Sequence, residues 1–338
     1  MHNLTPSLMA AAALAAAAAG AQAQSSVTLF GTVDVGVARV TGAGGSRTGL
    51  SNSGANISRY GLRGVEDLGG GLSAGFWLEA GFSPDTGEMG AGFNRRATVS
   101  LTGRWGEVRL GRDDSATFLN TLVFDPFLTN GVGGTNTFVM NGPPTIQISN
   151  AVSYFAPSKL GGFYGQVQHA FSERLSTDPS SGGEYTGTRL GYRQAALHVS
   201  VSAANLKGTT QAQDERFRNL GVSYDFGVAQ PMLLWAGHKR GSVDVRGLQL
   251  GVKVPVGAGE IRASVGRYDT RGTEADWRKF AIGYGHNLSK RTQLYATYAR
   301  LNNSGGSQRA IGVLGVAAPT NVPGGHSNGY EVGVRHFF

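Results

Sequence analysis

Apolar and polar positions alternate with period two along nearly the whole chain. In Leu72-Ser73-Ala74-Gly75-Phe76-Trp77-Leu78-Glu79-Ala80-Gly81-Phe82 the even positions are apolar, whereas the odd ones hold Ser, Gly, Trp, Glu and Gly. This is the repeat of a strand with two unlike faces, not the 3.6-residue repeat of a helix. The same alternation runs through Leu220, Val222, Tyr224 and Phe226, through Leu248, Leu250, Val252, Val254 and Val256, and through Ile261, Ala263 and Val265. The last nine residues set Tyr330, Val332, Val334, His336 and Phe338 on one face and Glu331, Gly333 and Arg335 on the other. A chain that stops on such a strand, with an aromatic as its final residue, predicts a sheet closed against lipid. Hydrocarbon offers the backbone no partners, so every strand must be paired, and aromatic girdles mark where strands cross the interface.

Short and long connections take turns between these segments. Short ones include Glu66-Asp67-Leu68-Gly69-Gly70, Arg104-Trp105-Gly106, Val256-Gly257-Ala258-Gly259 and Asn287-Leu288-Ser289-Lys290-Arg291; long ones run near 38–54, 83–92, 113–147, 173–183, 206–213 and 302–326. Strand starts near 26, 55, 71, 93, 106, 148, 162, 184, 195, 215, 230, 243, 259, 276, 291 and 328 then predict an all-β, closed antiparallel transmembrane β-barrel of 16 strands. Barrels near eight strands fill their interior with side chains, but a barrel of this size leaves an aqueous channel unless something plugs it. The longest connection, 113–147, contains Phe124-Asp125-Pro126-Phe127 and Pro143-Pro144 and is the candidate constriction, folded into the pore.

Composition narrows the picture. An apolar stretch from Leu8 to Ala19 followed by Ala21-Gln22-Ala23 reads as a signal peptide over residues 1–23, although its leading segment carries only His2 and no Lys or Arg; residues 24–338 form a single barrel domain with no linker. Mean hydropathy is −0.15, and no later run approaches the ~20 apolar residues of a spanning helix. The 53 Gly suit twisted strands and tight turns, and the absence of Cys excludes disulfides and thiolate metal sites. Net charge is +8, carried by single Arg residues scattered within strands, where a channel lumen would use it. Without a basic run, nucleic acid is not a predicted partner. The seven His form no ligand spacing, His326-Ser327-Asn328 lies in a loop, and Asp269-Thr270-Arg271-Gly272-Thr273-Glu274 lacks calcium-loop oxygen density, so no enzyme activity, metal or cofactor is expected.

Several segments closely match one family. They are Ser26-Val27-Thr28-Leu29-Phe30-Gly31-Thr32-Val33-Asp34, the run from Ser58 to Leu72, Phe93-Asn94-Arg95-Arg96-Ala97 with Leu110-Gly111-Arg112, Asn150-Ala151-Val152-Ser153-Tyr154, Leu288-Ser289-Lys290-Arg291-Thr292 and Gly333-Val334-Arg335-His336-Phe337-Phe338. In order and spacing the chain resembles the general diffusion porins of Gram-negative bacteria, particularly the anion-preferring branch common in beta-proteobacteria. The resemblance implies a homotrimer in the outer membrane, a lipid partner along the wall, the barrel-assembly machinery as a partner during biogenesis, and passive diffusion of small hydrophilic or anionic solutes. A substrate-specific channel for a sugar or organic acid is the alternative in the same membrane, and a non-transporting adhesin or anchor a remoter one.

The resemblance also implies a ladder of basic lumen residues facing acidic groups on the long loop. Carried over, the basic side includes Arg59 and Arg95; Arg63 joins Arg59 because Tyr60 and Leu62 take the outward phase. Strict alternation cannot point both Arg95 and Arg96 inward: the family pattern favours Arg95, whereas Thr98, Ser100 and Thr102 share the phase of Arg96. Gln147 stands where relatives often carry a third lumen Arg, which makes the expected anion preference weak. Asp113, Asp114 and Asp125 are the expected counter-charges. Tyr330 and Phe338 are the expected membrane-insertion signal, read from the last strand. Phe338→Ala should therefore lower the amount of protein in the outer membrane and leave periplasmic degradation products on immunoblots; normal surface abundance would contradict the role given to the terminal aromatic.

Overall fold

The computed structural model describes residues 26–135, 146–175, 177–178 and 182–338; the signal-peptide segment and Pro143-Pro144 lie outside the described residues. The sheet is built from β1 (Ser26–Gly42), β2 (Gly45–Ser51), β3 (Arg59–Gly69), β4 (Leu72–Ser83), β5 (Glu88–Met89), β6 (Arg96–Gly103) and β7 (Gly106–Asp114). A short helix, α1 (Ala116–Val123), precedes β8 (Gln147–Phe155), β9 (Phe163–Ala170), β10 (Tyr185–Gln194), β11 (Leu197–Leu206) and β12 (Glu215–Tyr224). The rest is β13 (Gln230–Arg240), β14 (Val243–Val256), β15 (Gly259–Thr270), β16 (Trp277–Asn287), β17 (Thr292–Asn303) and β18 (His326–Phe337). Every pairing is antiparallel, and β18 returns to β1 from Thr32↔Phe337 to Val40↔Gly329, which closes the sheet.

The wall has 16 strands because β2 and β3 are two halves of one. β2 pairs with the upper part of β1, Gly36–Gly42, and β3 with its lower part, Ser26–Thr32; β5 is a two-residue spur on β4. The expected long connection at 38–54 is thus a correction: β1 continues to Gly42 and turns back at once through Gly45, whose φ of 111° suits only glycine. The irregularity comes later, at 52–58, and its backbone is satisfied by side chains. Asp34 Oδ2 accepts from the N–H of Ala55 (2.9 Å) and Asn56 (2.6 Å), and Ser58 Oγ accepts from the N–H of Asp34 (2.9 Å).

The two faces of the closed sheet follow the alternation. Phe76, Val99, Leu110, Val152, Leu250, Val265, Ile282 and Val332 stay exposed on the outer face, as lipid requires. Asp34, Ser153, Gln168, Ser200, Asn219, Gln249 and Glu331 are buried on the polar inner face. At the seam, Gly31 and Phe338 exchange backbone bonds of 3.0 and 3.1 Å. The Phe338 ring occupies the space where a Cβ on residue 31 would stand. Tyr330 packs against Tyr298 at a centroid distance of 5.0 Å.

The chain after β7 lies on the polar face. Ser115 caps α1 by accepting from the N–H of Phe118 (3.1 Å), and Asn120 Nδ2 donates to Asn219 Oδ1 (2.6 Å) and Ser200 O (3.2 Å), which fastens the helix to β11 and β12. Beyond the helix, a row of glycines on alternate strands receives the chain. Phe124 fills the space above Gly221 on β12, Pro126 that above Gly251 on β14, and Val132 that above Gly329 on β18, while Phe127 packs beside Gly283 on β16, where Thr297 Oγ1 stands nearer. Each position has room for the loop because it has no Cβ. Valine favours strands, so Gly221→Val would stabilise β12 if nothing lay above it. With Phe124 seated there the substitution should instead cost about 1–3 kcal/mol by overpacking, lowering the thermal midpoint in detergent while far-ultraviolet circular dichroism keeps its β signature. An unchanged or higher midpoint would mean that Phe124 is not seated on Gly221.

Candidate functional site

Four neighbouring strands converge on one cluster. In the β3–β4 register Arg59 faces Gly81 and Arg63 faces Trp77, while Glu79 faces Arg96 across β4–β6, so all share the inner face. Glu79 lies between two guanidinium groups, with Oε1 2.7 Å from Arg95 Nε and 3.4 Å from Arg59 Nε. Arg96 Nε is 3.5 Å from Asp113, which also pairs with Arg109, and the Arg96 guanidinium sits 4.4 Å from the Trp77 ring centroid. Asp114 accepts from Gln147 Nε2 at 2.9 Å. Of these, Arg59, Trp77, Glu79, Arg95, Arg96, Asp113 and Asp114 line one side of a cleft of about 230 Å³. The other side is Phe118 and Leu122 of α1, with Leu128, Thr129 and Asn130 beyond it.

The question of Arg95 against Arg96 is resolved by the start of the strand. β6 begins at Arg96, so Arg95 stands outside the alternation; its N–H donates to Glu79 O (3.1 Å) and its side chain turns to the same carboxylate. Both arginines therefore reach the inner face.

The acidic residues are placed differently from the expectation. Asp113 and Asp114 are not on the long loop but at the end of β7, on the same wall as the arginines, because β7 extends past a register shift after Gly111. Asp125 is in the loop but points into it. Its Oδ2 accepts from the N–H of Thr129 and Thr135, both at 2.9 Å, its Oδ1 from that of Phe127 at 3.1 Å and from Gln249 Nε2 at 3.3 Å. Those bonds hold Leu128 and Thr129 at positive φ (53° and 62°), a conformation that costs an L-residue on the order of 1 kcal/mol or more. The structure thus sets Arg and carboxylate side by side on the wall, facing Phe118, Leu122 and Leu128 together with the polar Thr129 and Asn130, rather than Arg facing Asp across a gap.

Arg63 stays apart from this network. Its guanidinium stacks near Phe30 (5.4 Å) and Trp77 (5.1 Å) and remains exposed, without a carboxylate partner among the described residues. Sequence reasoning missed Glu79, although it lies in the inward phase of a strand already read correctly. It also missed Asp34 and Glu331. Glu331 accepts from Ser51 Oγ (2.5 Å) and from the N–H of Val132 (2.9 Å), pinning the loop to the closing strand. Nor was the final long connection read as inward: Ile311 and Val316 are buried beside Val132, Leu314 O accepts from the N–H of Asn52 (3.0 Å), and the Arg309 guanidinium lies 3.9 Å from the Trp277 ring.

Comparison with known proteins gives a single answer. A family described as Gram-negative porin matches residues 10–306. Outer membrane porin protein 32 of Delftia acidovorans is 41% identical, over 98% of this chain and 99% of that protein, and an outer membrane porin of Bordetella pertussis is 32% identical over 87% and 94%. Among solved structures, an anion-selective porin from Comamonas acidovorans superposes with a TM-score of 0.84 at 40% identity, covering 93% of this chain and all of that one. The trimer form of OmpT from Vibrio cholerae shares the fold at a TM-score of 0.69 and 13% identity, covering 93% and 99%. With a closed 16-strand barrel, lipid-facing alternation and a match over most of its length, the chain belongs to the Gram-negative porins, outer-membrane channels for passive diffusion.

Proposed function

We propose that this porin selects weakly for anions, with the described chain after β7, residues 115–135, narrowing a water-filled pore beside Arg59, Arg95 and Arg96. The observation that carries the reading is an asymmetry in how the inner wall uses its charges. Three inward carboxylates are sealed from water: Asp34 and Asp125 are 0% exposed and Glu331 1%. Each spends its oxygens on hydrogen bonds that hold chain segments in place.

Several inward cations have neutral partners instead, although Arg262 is paired with Glu260 at 2.7 Å. Arg63 leans on aromatic rings, Arg189 donates to Asn120 Oδ1 (3.0 Å) and Tyr164 (3.1 Å), and Arg335 donates to Asn56 Oδ1 (2.9 Å). Neutral partners orient a guanidinium without cancelling its charge. Water in the bore therefore meets more uncompensated positive than negative charge, which raises the local anion concentration. Glu79, Asp113 and Asp114 offset the three arginines of the cleft, and this keeps the preference weak. Gln147 contributes no charge where a further Arg would strengthen it. An aromatic track of the kind a sugar channel needs is not formed by the described cleft residues, whose one aromatic on the basic wall is Trp77. The function proposed is a pore and not an enzyme, in keeping with the porin family match.

We also propose a homotrimer. The outer face of β6 to β8 presents exposed Val99, Leu101, Leu110, Val152 and Tyr154, an apolar surface that a second copy could cover.

Two outcomes are expected. Arg59→Gln with Arg63→Gln should move the reversal potential in a salt gradient toward cations, and Glu79→Gln should move it the other way. Both effects should be large in dilute salt and fade as concentration rises, since the screening length is about 10 Å at 0.1 M. Unchanged selectivity at low ionic strength in both variants would remove these residues from the selectivity site. For assembly, cross-linking in mild detergent should give a three-copy species that collapses to the 35.3 kDa chain on boiling; a monomer by light scattering under the same conditions would count against the trimer.

A further inference from the structure

The helix α1 is amphipathic in the opposite sense from the one a water-filled bore favours. Its polar side chains go to the wall: Thr117 and Asn120 are buried, and Asn120 is bonded to Ser200 and Asn219. Phe118 and Leu122, one turn apart, are only half-buried and line the cleft opposite Arg59, Arg95 and Arg96. Leu128 joins them from beyond the helix, and it does so at a φ of 53°, where Gly or Asn would be at ease and a leucine is strained. Asn130, a polar member of the same side, is buried and gives its amide to Leu128 O (2.7 Å). Water alone gives no reason for apolar side chains at three such places, and strain that persists beside a functional cleft points to a use.

The facing wall has bonding capacity to spare. Arg95 and Arg96 make their side-chain hydrogen bonds through Nε, to Glu79 Oε1 (2.7 Å) and Thr98 Oγ1 (3.1 Å); among the described residues their terminal nitrogens make none. With Glu79, Asp113 and Asp114 beside them, the arginines attract anions only weakly. Contact with the opposite side then decides which anion lingers.

We propose that the cleft takes carboxylates with a compact apolar body, a single aromatic ring being the best match, in preference to small hydrated anions. The inference rests on the anion preference proposed above and names the solute class for it. A carboxylate accepts paired N–H groups from a guanidinium fork, while the ring covers Phe118, Leu122 and Leu128 and releases the water on them. Chloride or acetate satisfies the arginines and leaves that side wet. Largely apolar lining with a few convergent polar groups is the usual form of a small-molecule site. Size agrees as well: an apolar cavity of about 150 Å³ holds benzene, and the cleft, at about 230 Å³, has room for the ring and its carboxylate.

The test uses the full-length channel in planar bilayers and compares potassium benzoate with potassium acetate as inhibitors of the chloride current, with benzyl alcohol as the uncharged ring. Benzoate should act at a concentration about fivefold or more below that of acetate, as burial of a few apolar carbons implies, and benzyl alcohol should not act in that range. Leu122→Gln with Leu128→Asn should bring benzoate to within about twofold of acetate; Gln suits the helix and Asn accepts positive φ. Leu122→Met with Leu128→Met should keep the wild-type ratio, and far-ultraviolet circular dichroism checks that each variant has formed its barrel. Equal potency of benzoate and acetate on wild type, or a wild-type ratio in the Gln/Asn variant, would overturn the proposal while leaving the anion preference in potassium chloride standing. Benzyl alcohol as potent as benzoate would overturn it too, by showing a site for rings without regard to charge. A wild-type reversal potential with no anion preference in potassium chloride would overturn the underlying reading and this one together.

Discussion

Hydrocarbon has no hydrogen-bond partner to offer, and this constraint organises the molecule. Every strand must find two neighbours, so β18 has to meet β1, and the closed sheet has to be lipid-like on one side and free to be polar on the other. The outward series of Val, Leu, Ile and Phe and the inward series of Ser, Asn, Gln and charged residues are two readings of one requirement. Where the ladder fails, at 52–58, Asp34 and Ser58 replace the missing strand partners with their own oxygens.

Closure creates a second problem, which is how to hold a long stretch of non-strand chain against the inner wall. Packing alone is not available along a polar face. Two devices are combined here. Glycines on alternate strands open sockets for Phe124, Pro126 and Val132, and buried carboxylates, Asp125 within the chain and Glu331 on the wall, collect its backbone N–H groups. On the proposed reading, committing these carboxylates leaves the arginines to set the sign of the charge that faces water. The proposed anion preference would then be in part a by-product of how the loop is held.

The barrel itself was legible in the sequence because a period of two is imposed at every strand by the solvent on each side. Strand starts fell close to their observed places, and even Arg63, assigned inward only from the phase of Tyr60 and Leu62, shares a face with Trp77 as that phase requires. What alternation cannot report is anything outside a strand or at its frayed end. Arg95 sits one residue before β6, and so the rule that set it against Arg96 did not apply. Asp113 and Asp114 were read as loop residues because the register shift after Gly111 leaves no pattern. The helix α1 is only eight residues long, too short for its own periodicity to stand out, and its position depends on the Asn120–Asn219 pair ninety-nine residues apart. Glycine was informative about strands and turns in general, yet which glycines serve as sockets is visible only once the chain above them is in place.

The chain between β7 and β8 has a mechanical consequence. A hollow cylinder of sheet is stiff along its strands but soft toward flattening, since bending between neighbours strains no covalent bond. By bonding or seating itself on β11, β12, β14, β16 and β18, this segment links points that are far apart around the circumference. Any load that makes the cross-section oval must lengthen those bonds or lift rings from their sockets. The segment is a cross-brace, and lateral pressure in the membrane is resisted by the same contacts that fix the loop.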